Sequence, residues 1–184
     1  NVSLSDETAW VSPSLGGPSA TGETVNGQTQ GGMCALTLPT FPTGVMRPRF
    51  HPDDGHLYVC GMFAWAGNVT APGGFYRVRY TGQPAHLPVG LHAKTDSVEL
   101  TFTDALDAAS VDATHFEVKV WGLKRSQNYG SKHINEKPLT VARATLSRDG
   151  KRVQLHLPDL TSTWCMEIKY HLRSMNGQPV IGTI

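Results

Sequence analysis

The sequence predicts an all-β protein in which a four-stranded β-meander is followed by a β-sandwich. Apolar residues recur at alternate positions, turn residues separate the short apolar runs, and only positions 108–114 suggest a helix, of at most a turn or two. The 184 residues are enough for one domain or for two small ones. We therefore expect two successive β-units.

The composition excludes two classes of partner. With 39% hydrophobic residues, 17% charged residues and a net charge of +1, the chain is globular and lacks the basic surplus that a phosphate backbone requires. Its apolar stretches, such as 57–65, break within a strand's length, whereas a membrane helix needs about 20 apolar residues. We expect neither a nucleic-acid partner nor a membrane span.

The first half begins with an extended arm or loop over residues 1–32, which is rich in Gly, Ser, Thr and Pro and shows no periodicity. A meander over residues 33–86 follows, with strand patterns at 33–38, 45–50, 56–65 and 75–80. The segment His51-Pro52-Asp53-Asp54-Gly55 supplies the geometry of a hairpin turn. Pro84 and Pro88 place the boundary of the meander near residues 81–90.

The second half, residues 91–184, reads as a sandwich. Residues 97–103 alternate strictly and place Val98, Leu100 and Phe102 on one face, as in a strand that covers a core on one side only. Residues 115–121 repeat the pattern. Further strands are predicted at 139–146, 153–157 and 166–172, with turns at 147–150 and 175–177.

The run from Val98 to Val111, with Phe116-Glu117-Val118 after it, resembles the opening of bacterial immunoglobulin-like domains of the S-layer type. Residues 146–153 and 170–179 are similar to their closing hairpins. The resemblance implies an immunoglobulin-like β-sandwich over 91–184. It says little about function, since such modules commonly act as spacers or docking surfaces.

The first half resembles a different family through residues 30–32, 46–52, 55–61 and 73–78. These segments are similar to the last part of the β-propeller in large secreted bacterial proteins related to sorbosone and glucose dehydrogenases, which often carry c-type cytochrome domains. A segment like 121–138 follows there in an immunoglobulin-like domain. The resemblance implies a propeller-blade-like meander and a periplasmic or secreted location.

The chain departs from that family in two respects. It holds one blade rather than a ring, and it lacks the CxxCH motif that attaches haem. One blade cannot bury both of its faces, so the missing surface has to come from a larger propeller or cytochrome-containing chain or from a second copy. The dehydrogenase activity of the family does not transfer to this chain alone.

We accordingly expect a non-catalytic, extracytoplasmic β module that docks to or supports a propeller-type, cytochrome-linked oxidoreductase. No GxSxG, HExxH, Walker or dinucleotide motif occurs, so we expect no catalytic residue and no cofactor. Asp53, Asp54, Asp104 and Asp107 sit at turn positions, where capping explains them. Two alternatives remain open: a carbohydrate-binding module and a small copper electron-transfer protein.

The polar segment 122–138 is the main binding candidate, because long loops in compact domains are frequently functional. Its Tyr129 is predicted to stack on a sugar ring or a partner. The polar contacts would come from Lys132, His133, Asn135 and Glu136. The alternative is a solvated hairpin extension. Trp65 and Trp121 are further aromatic candidates, although tryptophans in strands more often belong to a core.

The sequence suggests two metal sites, each with a simpler alternative. Cys165, His171 and Met175, with His115 or His133 upstream, form a copper-type ligand set. However, residues 164–172 alternate like one strand, which separates Cys165 from His171 by about 20 Å. His51 and His56 flank a turn and would hold zinc or calcium together with Asp53 or Asp54, for which ordinary turn chemistry is the alternative.

The three cysteines offer one disulfide candidate. Cys34 and Cys60 lie in the same half of the chain and would pair in an oxidising compartment, whereas Cys165 lies far from both. The alternative is that all three are small buried hydrophobes.

Overall fold

The computed structural model describes residues 8–11, 23–25, 28–37, 41–63 and 71–184. Regular structure in these residues consists of strands and two short 3-10 turns, which confirms the all-β prediction. In chain order the strands are β1 (Thr8–Val11), β2 (Glu23–Val25), β3 (Gln28–Gln30), β4 (Cys34–Thr37), β5 (Gly44–Phe50), β6 (Leu57–Met62), β7 (Gly73–Val78), β8 (Pro88–Ala93), β9 (Ser97–Phe102), β10 (Phe116–Lys124), β11 (Lys132–Leu139), β12 (Arg143–Leu146), β13 (Arg152–His156), β14 (Cys165–Arg173) and β15 (Pro179–Thr183).

The chain divides into two compact units. The smaller unit comprises residues 1–10 and 35–84, and the larger unit comprises residues 11–34 and 85–184. Three strands, β1 to β3, form in the region for which the sequence predicts a loop or arm; β1 pairs with β4, and β2 pairs with β3. The division into arm, blade-like meander and immunoglobulin-like sandwich stays a prediction.

The smaller unit is built on a three-stranded antiparallel sheet in the order β5-β6-β7. The prediction of a four-stranded meander is wrong in its first strand, because β4 pairs with β1 and not with β5. Short strands pair with whichever edge is free, and alternation alone does not specify that edge. The predicted turn joins β5 to β6, with Gly55 at φ +67° and the amide of His51 donating to the carbonyl of His56 (2.9 Å).

One face of this sheet is covered. Leu57 and Val59 of β6 are buried and have 7% and 3% of their surface exposed. Tyr76 of β7 lies opposite Val59, and its ring contacts that of Phe41 at 5.0 Å. Buried Thr43 donates its hydroxyl to the phenol oxygen of Tyr76 (3.1 Å). We call the face that carries Leu57, Val59 and Tyr76 the covered face.

The larger unit contains two four-stranded antiparallel sheets that share one core. Their strand orders are β12-β13-β9-β8 and β11-β10-β14-β15. The Phe102 and Tyr170 rings form a T-shaped pair across this core, with their centroids 5.4 Å apart. The buried side chains come from both sheets: Val98, Leu100, Phe102, Leu106, Phe116, Val118, Val120, Leu139, Val153, Leu155, Leu157, Ile168, Tyr170, Leu172 and Val180. Their period-2 spacing matches the sequence pattern.

Asp104 holds the beginning of the segment 85–184 of the larger unit. Its carboxylate accepts hydrogen bonds from the hydroxyl of Thr103 (2.6 Å) and from the amides of Ala85 and His86 (2.9 Å each). These bonds, that from Thr103 first, lower the pKa of Asp104 to about 2. Strand β8 follows directly and pairs with β9, although the sequence pattern indicates a linker there.

The predicted helical segment forms two separate 3-10 turns, Ala108–Ser110 and Ala113–His115. The Asp107 and Asp112 side chains cap them by accepting from the amides of Ala109 and Thr114, as turn chemistry predicts. In the part of the chain that the structure describes, we find no helix with the length and apolarity needed to cross a bilayer.

Candidate functional site

A β-bulge organises the predicted binding segment. Strands β10 and β11 pair through Val120 with Lys137 and through Gly122 with Ile134, so that Trp121 faces both Asn135 and Glu136. Asn135 adopts φ +54°, a left-handed conformation that asparagine tolerates better than most residues. Bulges of this kind redirect side chains and are common next to functional sites.

The bulge brings together three of the predicted binding residues: Trp121, His133 and Glu136. The His133 ring stacks on the Trp121 ring with centroids 4.8 Å apart and an interplanar angle of 23°. His133 Nδ1 lies 3.3 Å from Glu136 Oε2. Lys119 joins them, with its Nζ 5.5 Å from the Trp121 ring centroid and 3.4 Å from Glu136 Oε1. We call these four residues the Trp121 cluster.

The charges of the Trp121 cluster are mutually compensated. The hydrogen bonds with His133 and then with Lys119 lower the pKa of Glu136. Partial desolvation lowers the pKa of Lys119, but its contacts with Glu136 and Glu167 outweigh this effect and raise it overall. Glu167, on β14, lies 3.4 Å from Lys119 Nζ. The cluster thus holds its acid ionised and its amine protonated, which suits a structural ion-pair network rather than proton transfer.

Within the Trp121 cluster, the side chains cover the indole surface that a ligand would use. Trp121 is half-buried, and His133 occupies stacking surface that a sugar would need. The indole Nε1 is buried and makes no hydrogen bond among the described residues. Sequence reasoning placed Trp121 either in a binding site or in a core; the structure puts it on the outer face of its sheet, under His133.

The remaining predicted binding residues lie apart from this cluster. Tyr129 is fully exposed in the loop 125–131 between β10 and β11. Lys132 is exposed and pairs with Lys124. Asn135 lies in the bulge. Trp65 lies outside the described residues. An aromatic residue that the sequence did not single out is Trp164, which is 72% exposed and has the guanidinium of Arg125 5.8 Å from its ring centroid.

The copper-type ligand set is spread along one strand. β14 runs without interruption from Cys165 to Arg173, so that six residues, about 20 Å, separate Cys165 from His171. Met175 follows the strand and is 71% exposed. Within the described ranges, no group of three or more His, Cys, Asp or Glu side chains is arranged to hold a metal ion.

The turn at residues 51–56 was predicted either to bind a metal or to follow ordinary turn chemistry. In the structure its hydrogen bonds centre on Asp54. Its carboxylate accepts from the amide of His56 (2.8 Å) and from the hydroxyl of Tyr58 (2.9 Å). These bonds, the backbone one first, lower the pKa of Asp54. His51 Nδ1 and His56 Nδ1 lie 3.7 and 3.4 Å from its two oxygens. Asp53 takes part only through its amide, which donates to His51 Nδ1 (3.3 Å).

The three cysteines are free thiols in the structure. Cys34 is buried, and its thiol donates to the carbonyl of Pro88 at 3.6 Å. Burial raises the pKa of the Cys34 thiol. Cys60 is exposed and Cys165 is half-buried, so the description as small buried hydrophobes fits Cys34 alone. The disulfide between Cys34 and Cys60 stays a prediction.

Sequence reasoning missed an exposed face of the smaller unit. The register of β5, β6 and β7 places Arg49, Tyr58 and Arg77 in one row. Arg47, Cys60 and Phe75 form the next row on the same face. The Phe75 and Tyr58 rings stack at 5.6 Å and 25°. We call the surface formed by Arg47, Arg49, Tyr58, Phe75 and Arg77 the arginine face.

The signal for this face was present in the sequence. In the alternating run 75–80, Phe75 and Arg77 share a face because their positions differ by two, and so do Arg47 and Arg49. The sequence does not indicate which face of the sheet stays exposed, because both faces carry apolar residues.

A comparison of the chain with protein-family models, with curated proteins and with solved structures finds no match in any of the three. The functional argument therefore depends on the residues and geometry described above.

Proposed function

We propose that the chain is a non-catalytic, extracytoplasmic β module that docks to or supports a larger propeller-type, cytochrome-linked oxidoreductase. In this proposal the sheet β5-β6-β7 acts as a propeller-blade-like meander and residues 91–184 act as an immunoglobulin-like sandwich. One observation carries it: the sheet β5-β6-β7 leaves large apolar side chains exposed on both of its faces.

The exposed residues lie on opposite sides of the sheet. Phe50 pairs with Leu57 and so belongs to the covered face, yet 50% of its surface is exposed. On the other side, 70% of Phe75 and 52% of Met62 are exposed. A blade in a propeller packs between two neighbours, which would cover such residues on both sides. Among the described strands, none pairs with the outer edges of β5 and β7, and such edges accept a further strand.

The strand order of the larger unit supports the immunoglobulin-like part of the proposal. In immunoglobulin constant-type domains one sheet has the order A-B-E-D and the other contains C, F and G. Labelling β8 as A and proceeding along the chain, the first sheet of the larger unit has this order, and β10, β14 and β15 take the places of C, F and G. β11 is then an added strand beside C.

The assembly state of the purified protein tests the docking proposal. We expect native mass spectrometry of protein from its natural source to show a complex with a larger chain, or an oligomer. Phe75→Ser should weaken this assembly, because it removes exposed apolar surface at low cost to the fold. Ile181→Ser, at a residue that is 62% exposed in the larger unit, is the matched control. A wild-type protein that stays monomeric and without partners would contradict the proposal.

A carbohydrate-binding module is the second candidate, and two exposed aromatic residues favour it. Tyr129 is fully exposed and Trp164 is 72% exposed, and the guanidinium of Arg125, in the same loop as Tyr129, lies over one face of the Trp164 ring. Exposed rings of this type stack on sugars. Affinity electrophoresis in polysaccharide gels should then show retardation that Trp164→Ala abolishes and Ile181→Ala leaves unchanged. Unretarded migration across a panel of neutral and anionic polysaccharides would remove this candidate.

A further inference from the structure

The arginine face combines positive charge with aromatic surface on one side of the sheet β5-β6-β7. Tyr58 is half-buried between Arg49 and Arg77, its neighbours in the row. Arg47 and Phe75 flank Cys60 in the next row, and both are exposed. The face therefore presents three guanidinium groups around a stacked aromatic pair.

None of the ion pairs among the described residues involves these arginines. Within the described part of the chain, the guanidinium groups of Arg47 and Arg49 donate only to neighbouring carbonyls, those of Met46 (3.1 Å) and Pro48 (3.3 Å). The nearby carboxylate of Asp54 is already engaged by Tyr58 and His56. Fork-shaped donors on the face are thus left available for carboxylates.

The charge also limits what can cover the arginine face. Burying three guanidinium groups against an apolar surface would leave them desolvated and unpaired, which is strongly unfavourable. An occupant that is apolar at its centre and acidic around it would satisfy both the aromatic pair and the arginines. An ordinary apolar blade surface would not.

We infer that the arginine face docks an acidic polypeptide surface of the partner protein, with partner carboxylates paired to Arg47, Arg49 and Arg77 and an apolar residue set against Phe75. The inference rests on the proposed docking function and specifies its partner chemistry. A polypeptide fits better than a nucleic acid, because the chain's net charge of +1 offers no extended basic track and the two rings stack on each other instead of standing ready for successive bases.

Binding of the full chain to poly-L-glutamate tests the inference. We expect wild-type protein to bind this probe, with affinity falling about tenfold between about 0.05 and about 0.3 M salt. The triple variant Arg47→Gln, Arg49→Gln, Arg77→Gln should bind about tenfold more weakly. The matched control Arg143→Gln, Arg148→Gln, Arg173→Gln removes the same charge from exposed positions of the larger unit and should bind like wild type. The variant with lysine at the three face positions should bind more weakly than wild type but more tightly than the glutamine variant, because lysine keeps the charge and lacks the guanidinium fork.

Several outcomes would overturn the inference. Equal losses in the two glutamine variants would assign binding to net charge alone, and no wild-type binding would remove the acidic partner. Tighter binding to a single-stranded oligonucleotide or to a polyuronate would assign the face to another class of ligand. Circular dichroism and thermal unfolding check that each variant is folded. If wild-type protein assembles with its partner but does not bind poly-L-glutamate, only this inference is contradicted. If the protein binds the probe but stays monomeric and without partners, the docking proposal is contradicted instead.

Discussion

The two units use the same strand alternation but differ in how far they bury their apolar side chains. In the larger unit two sheets contribute to one core, so that Val98 and Leu155 have no exposed surface. In the smaller unit the sheet β5-β6-β7 buries Leu57 and Val59 on one face and leaves Phe75 largely exposed on the other. The comparison teaches that alternation determines which side chains share a face, whereas burial depends on a second layer.

The largest effect is expected from core truncation in the larger unit. Leu155→Ala should lower its free energy of unfolding by about 3 kcal/mol, because it leaves a cavity at a fully buried position. Phe75→Ala in the smaller unit should change stability by less than about 0.5 kcal/mol in the monomer, because most of the ring is already in water. Urea denaturation of both variants measures the difference. Equal losses of stability in the two variants would contradict the difference in burial between the two units.

The next effect concerns Asp104, whose carboxylate binds the amides of Ala85 and His86 at the beginning of the segment 85–184. Its depressed pKa, about 2, means that its stabilising contribution is present above the ordinary aspartate pKa of 3.8 and is lost as pH falls through about 2. Asp104→Asn should cost about 1 to 2 kcal/mol at neutral pH. The variant should match wild type near the lower pH. Urea titrations from neutral to acidic pH test this, and a loss that is independent of pH would contradict it.

A smaller effect is expected at the Trp121 cluster. His133→Ala removes the stacked ring and should cost about 0.5 to 1 kcal/mol while exposing the indole. Tryptophan fluorescence should become more quenchable by iodide. His171→Ala, at an exposed position of the same sheet, is the control and should alter neither property. Unchanged quenching in His133→Ala would show that the two rings are not stacked in solution.

The smallest effect on stability is expected from modification of Cys60. An exposed thiol should react with a thiol reagent at least about tenfold faster than the buried Cys34, whose pKa is raised by burial. The modified protein should keep its stability. Mass spectrometry of partially labelled protein gives the order of reaction. An unlabelled pair that reacts only after reduction would establish the disulfide between Cys34 and Cys60.

The period-2 pattern predicted the core of the larger unit well. Val98, Leu100 and Phe102 share a face in the sequence and are buried in the structure. Turn chemistry likewise predicted the hairpin at Gly55 and the capping by Asp107. Strand alternation and turn chemistry are predicted correctly because each depends only on residues within a short stretch of the chain.

Non-local features were harder to predict. The partner of β4 depends on which strand edge is free, and strand β8 depends on a carboxylate nineteen residues away from Ala85. The candidate site was predicted in part: Trp121, His133 and Glu136 meet, but only because of a bulge that the sequence did not reveal. The arginine face was missed because its three arginines come from two strands, whose register the sequence leaves open.

The bulge places one extra residue in β11, so this strand can lose Asn135 without losing a pair. Deletion of Asn135 would leave Lys137 opposite Val120 and Ile134 opposite Gly122, with Glu136 alone opposite Trp121. His133 would keep Leu123 as its partner and would stay on the side of the strand that it occupies now. A single-residue deletion at this point should therefore straighten the edge strand and leave the pairs on both sides of it in place.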